Sequence, residues 1–583
     1  MRWLVQNNIL DKVASRLAAI ILFGGLFATT IASAQEGWEK ENEGEIKDVQ
    51  YEIIVNKKVT LPRASRNFEK VPPRPFEAIE PAIRYDSRNF RFATPDFKPV
   101  IRPLKLKSEE LSKIYGNYLS AGFGNYASFF LEGSVTTKRD KGRYLGAHIY
   151  HRSFGSGPVA EKNSASSTLA LQLFGKATGK VITFSGEGNL ENRGTFFYGY
   201  TPATEIDRDL IRQSYDIFSV KAGIENTKVS DFNYTLKSGY SLLRDHYNAR
   251  EAEFSLQYAS SYALNENNKI LVTADYFNIT RTDLNFTTDP RHLLKAKPAY
   301  QFSPIQDLTL TVGANGVFQN DQYSGSKDFH LYPDIKAQYS LSPSVELWGA
   351  ITGDIDKVTL HTISAENLWV KTDQPFYHTN RLELKGGING KVGKKVAFGV
   401  GFSVAELKNL YNYLNSPDTL NPAKSPIGAA VDRMTVIYES NTKRVNPFAE
   451  LSYSHADVFR FSLRGDLFAY ATEHFADTYN RPTWRINASA RTNLYEKISL
   501  EAGIMAQGGA KAWEVYTNLS NGGPNQFFDL DPAIDVNAKA RYFLSKQFSA
   551  FVQMNNLLST RYPIYLNYPA RGFQVVAGVS WSF

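Results

Sequence analysis

The chain has 583 residues, with 66 Lys and Arg against 58 Asp and Glu, which gives a net charge of +8. It contains no cysteine and four methionines, and 13% of its residues are aromatic. The lack of cysteine excludes a disulfide scaffold, and the modest, dispersed positive charge argues against a nucleic-acid partner. Only one apolar run approaches the roughly 20 residues that a membrane-spanning helix needs, and it lies at the N-terminus.

The first 34 residues are predicted to form a secretory signal peptide. Three basic residues flank an apolar stretch over 17–34, and the sequence Ala-Ser-Ala at 32–34 before Gln35 is typical of a cleavage site. An uncleaved N-terminal anchor is the alternative reading. Removal of residues 1–34 leaves an exported chain of 549 residues with a net charge of +6.

Residues 35–112 form a Pro-rich segment that contains eight of the 25 prolines. Proline has no amide hydrogen and cannot occupy a central strand. We therefore expect a short, extended or irregular segment that is periplasmic or lies in the lumen of the domain that follows. Its one strand-like stretch is Tyr51-Glu52-Ile53-Ile54-Val55.

From residue 113 to residue 583 the sequence alternates between apolar and polar residues with a period of two, as over 307–320 and 497–507. This period predicts strands with one apolar and one polar face. Short polar turns mostly alternate with longer connections, among them 366–377 and 410–432, except for two short links at 125–126 and 244–247. Alternation of short and long links is typical of outer-membrane barrels.

Counting back from the C-terminus gives 22 strands, an even number that allows an antiparallel barrel to close. The predicted spans include 344–365, 394–409 and 433–454. The predicted fold is all-β: a transmembrane antiparallel β-barrel of 22 strands over residues 113–583, in the bacterial outer membrane. Outer-membrane lipid and, during biogenesis, the barrel-assembly machinery are its expected partners.

The last strand has the pattern of an outer-membrane assembly signal. A C-terminal phenylalanine is preceded by apolar residues at every second position, so that six side chains share one face: Phe573, Val575, Ala577, Val579, Trp581 and Phe583. The alternative is a buried C-terminal strand of a soluble β domain.

The segment before this strand resembles the closing hairpin of TonB-dependent receptors. The resemblance rests on Phe-Val-Gln-Met-Asn-Asn-Leu-Leu over 551–558, then Arg561-Tyr562, then Tyr-Pro-Ala-Arg-Gly-Phe over 568–573. It implies a 22-stranded outer-membrane barrel that acts in transport. The family also carries an N-terminal plug of well over a hundred residues, for which residues 35–112 are too short.

Within that segment, residues 51–55 faintly resemble a TonB box, the strand that pairs with the energy-coupling protein. An ordinary short strand is the alternative interpretation.

Charged residues recur on the polar faces of the predicted strands and are expected to face the lumen, since Lys or Arg at the lipid midplane costs about 2–4 kcal/mol. They are Arg460, Arg464, Asp466, Arg485, Arg491, Lys539, Arg541, Glu383 and Lys385, together with Glu253 and Glu501. Either water or a polypeptide held inside the barrel would solvate them.

These patterns leave two functions open. The first is a receptor-like or porin-like transporter filled by its own N-terminal segment. The second is a plug-less subunit of an outer-membrane assembly, secretion or export complex, with periplasmic or outer-membrane protein partners. We expect no enzymatic activity, metal or cofactor, because the histidines are scattered and no nucleophile, zinc or phosphate-loop spacing occurs.

Overall fold

The computed structural model describes residues 115–138, 140, 142–200, 206–283, 287–323, 325–418, 431–515 and 526–583. The predicted signal peptide and the Pro-rich segment with its TonB-box-like stretch lie outside the described residues. No helix in the described part of the chain is long and apolar enough to cross a membrane.

The described elements are almost all strands. The first sixteen are β1 (Asn117–Gly124), β2 (Ser128–Thr136), β3 (Arg143–Phe154), β4 (Ser166–Thr178), β5 (Ile182–Phe196), β6 (Arg212–Asn226), β7 (Phe232–Asp245), β8 (Arg250–Ala263), β9 (Asn268–Thr282), β10 (Arg291–Ile305), β11 (Leu308–Gln319), β12 (Phe329–Ser342), β13 (Val345–Asp356), β14 (Thr379–Val392), β15 (Val396–Asp418) and β16 (Val431–His455). Eleven shorter strands follow: β17 (Phe459–Leu467), β18 (Ala469–Thr472), β19 (Trp484–Leu494), β20 (Ile498–Gly508), β21 (Lys511–Glu514), β22 (Gln526–Asp529), β23 (Ala533–Phe543), β24 (Phe548–Asn555), β25 (Pro563–Tyr565), β26 (Tyr568–Pro569) and β27 (Gln574–Ser582). The helices are two 3₁₀ turns, Glu161–Ser164 and Arg208–Leu210, and α1 (Leu360–Glu366).

The strands form one closed antiparallel barrel. All of them belong to this barrel except β25 and β26, which form a separate two-stranded sheet, and β27 pairs with β1 to close the wall. Three wall strands are interrupted, as β17 and β18, β20 and β21, and β22 and β23, so the 25-stranded sheet amounts to 22 barrel strands. The predicted fold class and strand number are confirmed. Closure gives every barrel strand a neighbour on both sides, as the pairing of strand edges in an apolar bilayer requires.

The outer face of the barrel is apolar. Along each strand, side chains that point outward stay exposed, as for Leu331 (69%), Val579 (62%) and Val400 (54%). The alternate residues carry the polar and charged side chains. An apolar belt around a closed 22-stranded barrel is the architecture of bacterial outer-membrane proteins, and this places the chain in that membrane.

The links sort by rim, as predicted. At the rim that holds the C-terminus, the connections are two to six residues long. The opposite, outer rim carries most of the long ones, including 155–165, 197–211, 357–378 and 556–573, with short exceptions at 125–127 and 246–249.

Two regions differ from the predicted strand spans. The strand predicted over 344–365 ends at Asp356, because Thr359 caps α1 by accepting a hydrogen bond from Thr362 N. The strands predicted over 394–409 and 433–454 continue further, as β15 and β16, into a hairpin that rises above the other strands.

The closing seam is built on two facing glycines. Gly122 of β1 lies opposite Gly578 of β27, and the buried ring of Phe551 packs over both. A β-carbon at Gly578 would lie 2.6 Å from that ring and 2.1 Å from the carbonyl oxygen of Ala121. The seam therefore has no space for a side chain at this position.

Replacing Gly578 by Val should destabilise closure by about 1–3 kcal/mol, because overpacking forces the seam apart. The measurement is heat-modifiability: folded barrel migrates faster than boiled barrel in detergent electrophoresis, and the transition temperature should fall. Val579→Leu, on the exposed outer face, is the matched control and should leave it unchanged. An unchanged transition in Gly578→Val would contradict this account of the seam.

Candidate functional site

The long connections of the outer rim fold together over the barrel mouth. The connection between β13 and β14, residues 357–378, reaches across to the wall on the other side, and we call it the strap. The ends of β15 and β16 above the wall, residues 410–418 and 431–438, form the arm. One buried apolar cluster joins four segments: the strap, the arm, the loop that begins at Phe197 and the loop over 556–573. We call these four segments together the lid.

The first half of the strap is bound by wall strands β5 and β8. The Glu251 carboxylate accepts hydrogen bonds from Leu360 N at 2.8 Å and His361 N at 3.0 Å, at the positive end of α1. Arg193 of β5 donates to Ser364 O at 3.3 Å, and the Lys357 ammonium pairs with Glu253 of β8. Glu253 thus lies at the top of the inner wall, where the sequence predicted a lumenal charge.

The second half of the strap is bound by β7 and β9. Thr372 Oγ1 donates to the buried Asp245 carboxylate at 2.6 Å. The guanidinium of Arg281 donates to the carbonyl oxygens of Thr372 and Gln374, the latter at 2.6 Å. These wall residues are charged, and their partners in the strap are mostly backbone groups. The contacts therefore depend on the backbone conformation of the strap more than on its side chains.

The end of the strap is fixed by a buried ionic network. Arg291 of β10 forms a bidentate pair with Asp321 at 2.6 and 2.8 Å, and Asp321 also accepts from His378 N at 2.7 Å. Two donors point at His378 Nδ1: Val358 N at 3.1 Å and the Arg291 guanidinium at 2.8 Å. Nδ1 therefore acts as an acceptor, and burial beside Arg291 lowers the pKa of His378 to about 3.

The arm closes over the strap by backbone pairing. Lys371 N donates to Met434 O at 2.7 Å, and Met434 N donates to Trp369 O at 2.9 Å. Tyr377 N donates to the Tyr438 hydroxyl at 2.9 Å. The strap thereby continues the sheet of the arm, and strap and arm move as one unit unless these bonds break.

Trp369 is the centre of the lid. Its indole donates to Phe196 O at 3.1 Å, and its ring lies 4.5 Å from Tyr568 and 5.5 Å from Tyr198. Tyr565 approaches it at 6.0 Å. Each such aromatic pair contributes about 0.5–1.5 kcal/mol beyond its burial, so the cluster joins segments that are far apart in the chain.

Below the lid, the charged residues that the sequence predicted for the lumen lie on the side opposite the exposed apolar residues. Most of them contact charged or polar groups on the same strand, on a neighbouring strand or in an adjacent turn. Arg464 contacts Asp466 at 2.9 Å and Glu450 at 3.0 Å, and Arg491 lies 3.6 Å from Glu501. Glu383 contacts three cationic side chains, those of Arg381, Arg444 and Lys385. The remaining contacts are single: Arg460 with Asp457, Arg485 with Gln507 and Arg541 with Tyr118. Lys539 lies opposite Glu501 in the ladder. Cavities of about 1140 and 730 Å³ lie along this wall.

The predicted assembly-signal residues follow the outward face of β27, from Phe573 just before its outer end to Phe583 just after its other end. Trp581 and Phe583 lie at the rim opposite the lid. The Trp581 ring stacks on Phe583 at 4.0 Å and on Phe548 at 5.9 Å. Aromatic rings at this height suit the membrane interface. The role of Phe573, Val575, Ala577, Val579, Trp581 and Phe583 in assembly stays a prediction.

Sequence reasoning missed the lid. Residues 366–377 and 410–432 were predicted only as long outer connections. One local signal was available: Thr359 as a helix cap followed by Leu360 and Ile363 on one face predicts α1. Nothing local marks Trp369 or His378, because their partners lie on other strands. Among the described residues there is also no group of three His, Cys, Asp or Glu that could hold a metal ion.

The solved structures to which this chain is similar include outer-membrane receptors and an iron transporter. The ferripyoverdine receptor of Pseudomonas aeruginosa superposes with a TM-score of 0.59 at 11% identity, over 82% of this chain and 72% of that one. The FrpB iron transporter of Neisseria meningitidis gives 0.61 at 10% identity, over 81% and 82%. The siderophore receptor PirA of Acinetobacter baumannii gives 0.60 at 10% identity, over 80% of each. No family model matches the sequence, and no curated protein matches it. These similarities establish the fold.

Removing the Arg291 guanidinium of β10, which holds the end of the strap, should open the lid. In Arg291→Gln, Asp321 is left buried without its partner, at a cost of about 3–5 kcal/mol. We expect protease added to intact cells to cleave within 357–378 in this variant and not in the wild type. Arg460→Gln, which removes an exposed pair near a turn of the opposite rim, is the control and should stay resistant.

Acid should loosen the strap through His378. Because its pKa falls from 6.5 unfolded to about 3 folded, the unfolded strap binds the proton more readily. The stabilisation of the folded strap by neutral His378 is therefore complete above pH 6.5 and is lost as the pH falls toward 3. The charges that act on the His378 ring are those of Arg291, Lys295, Lys357 and Asp321. Protonation of Asp321 destabilises the strap further at lower pH.

Hydrogen exchange of peptides from 357–378, corrected for intrinsic rates, should therefore rise between pH 6.5 and 4. In His378→Gln the rise over this interval should disappear. Equal pH dependence in both proteins would show that another group controls the strap.

Proposed function

We propose that this chain is a gated outer-membrane transporter in which the lid is the outer gate. The observation that carries the proposal is the strap, which closes the mouth of a barrel whose inner wall is charged. A barrel of 16–18 strands already leaves an aqueous channel, and one of 22 strands must be blocked to keep the membrane tight. The strap and arm supply that block on the outer side.

The way the strap is held supports a gate over a permanent seal. Its wall contacts are hydrogen bonds and ion pairs from Glu251, Arg281 and Arg291. Such polar contacts can be exchanged for water one at a time when the strap lifts, each at a net cost of about 0.5–3 kcal/mol. Small molecules reaching the lid could exploit the same groups.

The cargo we propose is a polar ligand too large for a narrower porin channel. Barrel size and the mixed charges of the wall, among them Arg464, Arg491 and Glu501, support this class. The neighbours in fold are named as siderophore receptors and iron transporters, which is consistent with cargo of that size. We further propose that residues 35–112 occupy or guard the lumen from below, with residues 51–55 as the candidate TonB-contacting strand.

The second candidate is a plug-less subunit of an outer-membrane complex. The length of residues 35–112, too short for a typical plug, favours it. In that case the lid would stay closed and the Pro-rich segment would bind partners. Purification from native membranes separates the two, since stoichiometric co-purifying barrels or periplasmic proteins indicate a subunit.

Locking the strap tests the gate directly. The chain has no cysteine, so Asp245→Cys with Thr372→Cys, whose side-chain oxygens lie 2.6 Å apart, introduces a single disulfide between wall and strap. In planar bilayers we expect replacement of residues 359–377 by a short Gly-Ser linker to raise the conductance above that of the wild type, with the remaining restriction set by the proposed lower block. We expect openings of the double-cysteine protein to vanish on oxidation and return on reduction.

Each single-cysteine variant is the control and should not respond to oxidant. A third protein that lacks residues 35–112 tests the lower block and should show more frequent or larger openings. Identical conductance of the locked, reduced and strap-deleted proteins would exclude the strap as a gate and favour the subunit role.

A further inference from the structure

The barrel wall parts between β12 and β13 on the outer side. The ladder between them ends at the pair Asp334 and Thr352. β12 continues upward to Phe329, paired only with β11, and β13 continues to Asp356, paired only with β14. Pro333 is the next residue of β12, and its lack of an amide hydrogen suits a strand that loses a neighbour there.

The upper end of β13 is drawn behind β12. Lys295 of β10 donates to Ile355 O at 2.6 Å, and Asn315 of β11 donates to Gly353 O at 2.9 Å. The Tyr332 ring fills the space against Gly353, where a β-carbon would lie 2.4 Å from it. β13 and the strands that follow therefore bend toward the lumen, and a cleft opens sideways in the wall.

The cleft has a volume of about 700 Å³, and its lining includes two lysines, one histidine and three tyrosines: Lys327, Lys408, His330, Tyr323, Tyr377 and Tyr438. The His330 ring lies 2.9 Å from Lys327 O, and Lys408 lines the same cleft. Among the described residues, neither lysine forms a salt bridge with a carboxylate.

The two acidic residues of the cleft are already engaged. Glu473 accepts a hydrogen bond from Ser440 Oγ at 3.1 Å, and Glu406 lies directly opposite Lys443 in the ladder. Neither carboxylate lies within salt-bridge distance of Lys327 or Lys408 in the described part of the chain, so both ammonium groups are available to bind an anion.

The cleft lies at the outer edge of the apolar belt. The outward residues of β15 change there from Val404 (40% exposed) to Glu406 and Lys408. On β12, Phe329 and Leu331 are 62% and 69% exposed directly beside the opening. Apolar surface thus continues from the bilayer into a cationic pocket, which matches an amphipathic ligand with an anionic head.

We propose that this cleft binds the phosphorylated glycolipid of the outer leaflet. A headgroup phosphate would pair with Lys327 and Lys408, as basic pockets between membrane segments bind lipid phosphates. Sugar rings would lie against Tyr323, Tyr377 and Tyr438, whose faces are apolar and whose hydroxyls are polar. Acyl chains would follow Phe329 and Leu331. This site stands whether or not the lid is a gate.

The test is a binding titration of the full barrel, purified and delipidated, with lipopolysaccharide and separately with phosphatidylglycerol, read by native mass spectrometry. Lys327→Ala with Lys408→Ala should weaken lipopolysaccharide binding at least tenfold. Lys327→Arg with Lys408→Arg should retain it, and Lys394→Ala with Lys395→Ala, at a turn of the opposite rim, should leave it unchanged. Heat-modifiability confirms that each variant is folded.

Equal lipopolysaccharide affinity in the alanine variant and the wild type would overturn the site. Phosphatidylglycerol binding as tight as that of lipopolysaccharide, and equally sensitive to the two lysines, would overturn the glycolipid assignment. Loss of binding in the arginine variant as well would show that geometry rather than charge holds the lipid, and would also reject the proposal.

Discussion

The structure depends on one constraint: backbone N–H and C=O groups must all be paired where the chain meets hydrocarbon. Closure of β27 onto β1 satisfies it, and the glycine pair Gly122 and Gly578 makes the closing contact tight enough to pack Phe551. Closure at 22 strands fixes the width, and that width creates a second problem, since water and solutes would pass through an unobstructed lumen. In the function that we propose, the lid closes the lumen, and it is part of the same chain as the barrel.

The lid is stabilised differently from the wall. The wall is stabilised by backbone hydrogen bonds between neighbouring strands. In the lid, charged side chains at strand ends, such as Glu251, Arg281 and Arg291, hold backbone that arrives from the other side of the mouth. Buried charge is costly unless each group is paired. Removal of one charged partner therefore destabilises the lid more than the loss of an apolar contact of similar size. The lid is consequently the part of the molecule most sensitive to protons and single substitutions.

The wall could be predicted from sequence and the lid could not, for a physical reason. Alternation with a period of two is a local property, so Leu463 beside Arg464 is enough to assign faces, and turns mark the strand ends. The strand number and the sorting of links by rim followed from it. His378 gains its environment from Arg291 and Asp321, which are 87 and 57 residues away. No window of sequence contains that relation, and only the end of the strand at Thr359 had a local signal.

The bend of β13 connects the lid to the side of the barrel. Lys295 and Asn315 draw the top of β13 inward, and this one displacement both starts the strap on its path across the mouth and opens the cleft beside Tyr332. A position of the strap that lets β13 return to β12 would extend their ladder and narrow the cleft. Occupancy of the cleft then favours the inward position of β13, and by linkage an inward strap strengthens binding in the cleft by the same factor. Under the two proposals, the gate at the barrel mouth and the lipid site beside Tyr332 would both act on the position of β13.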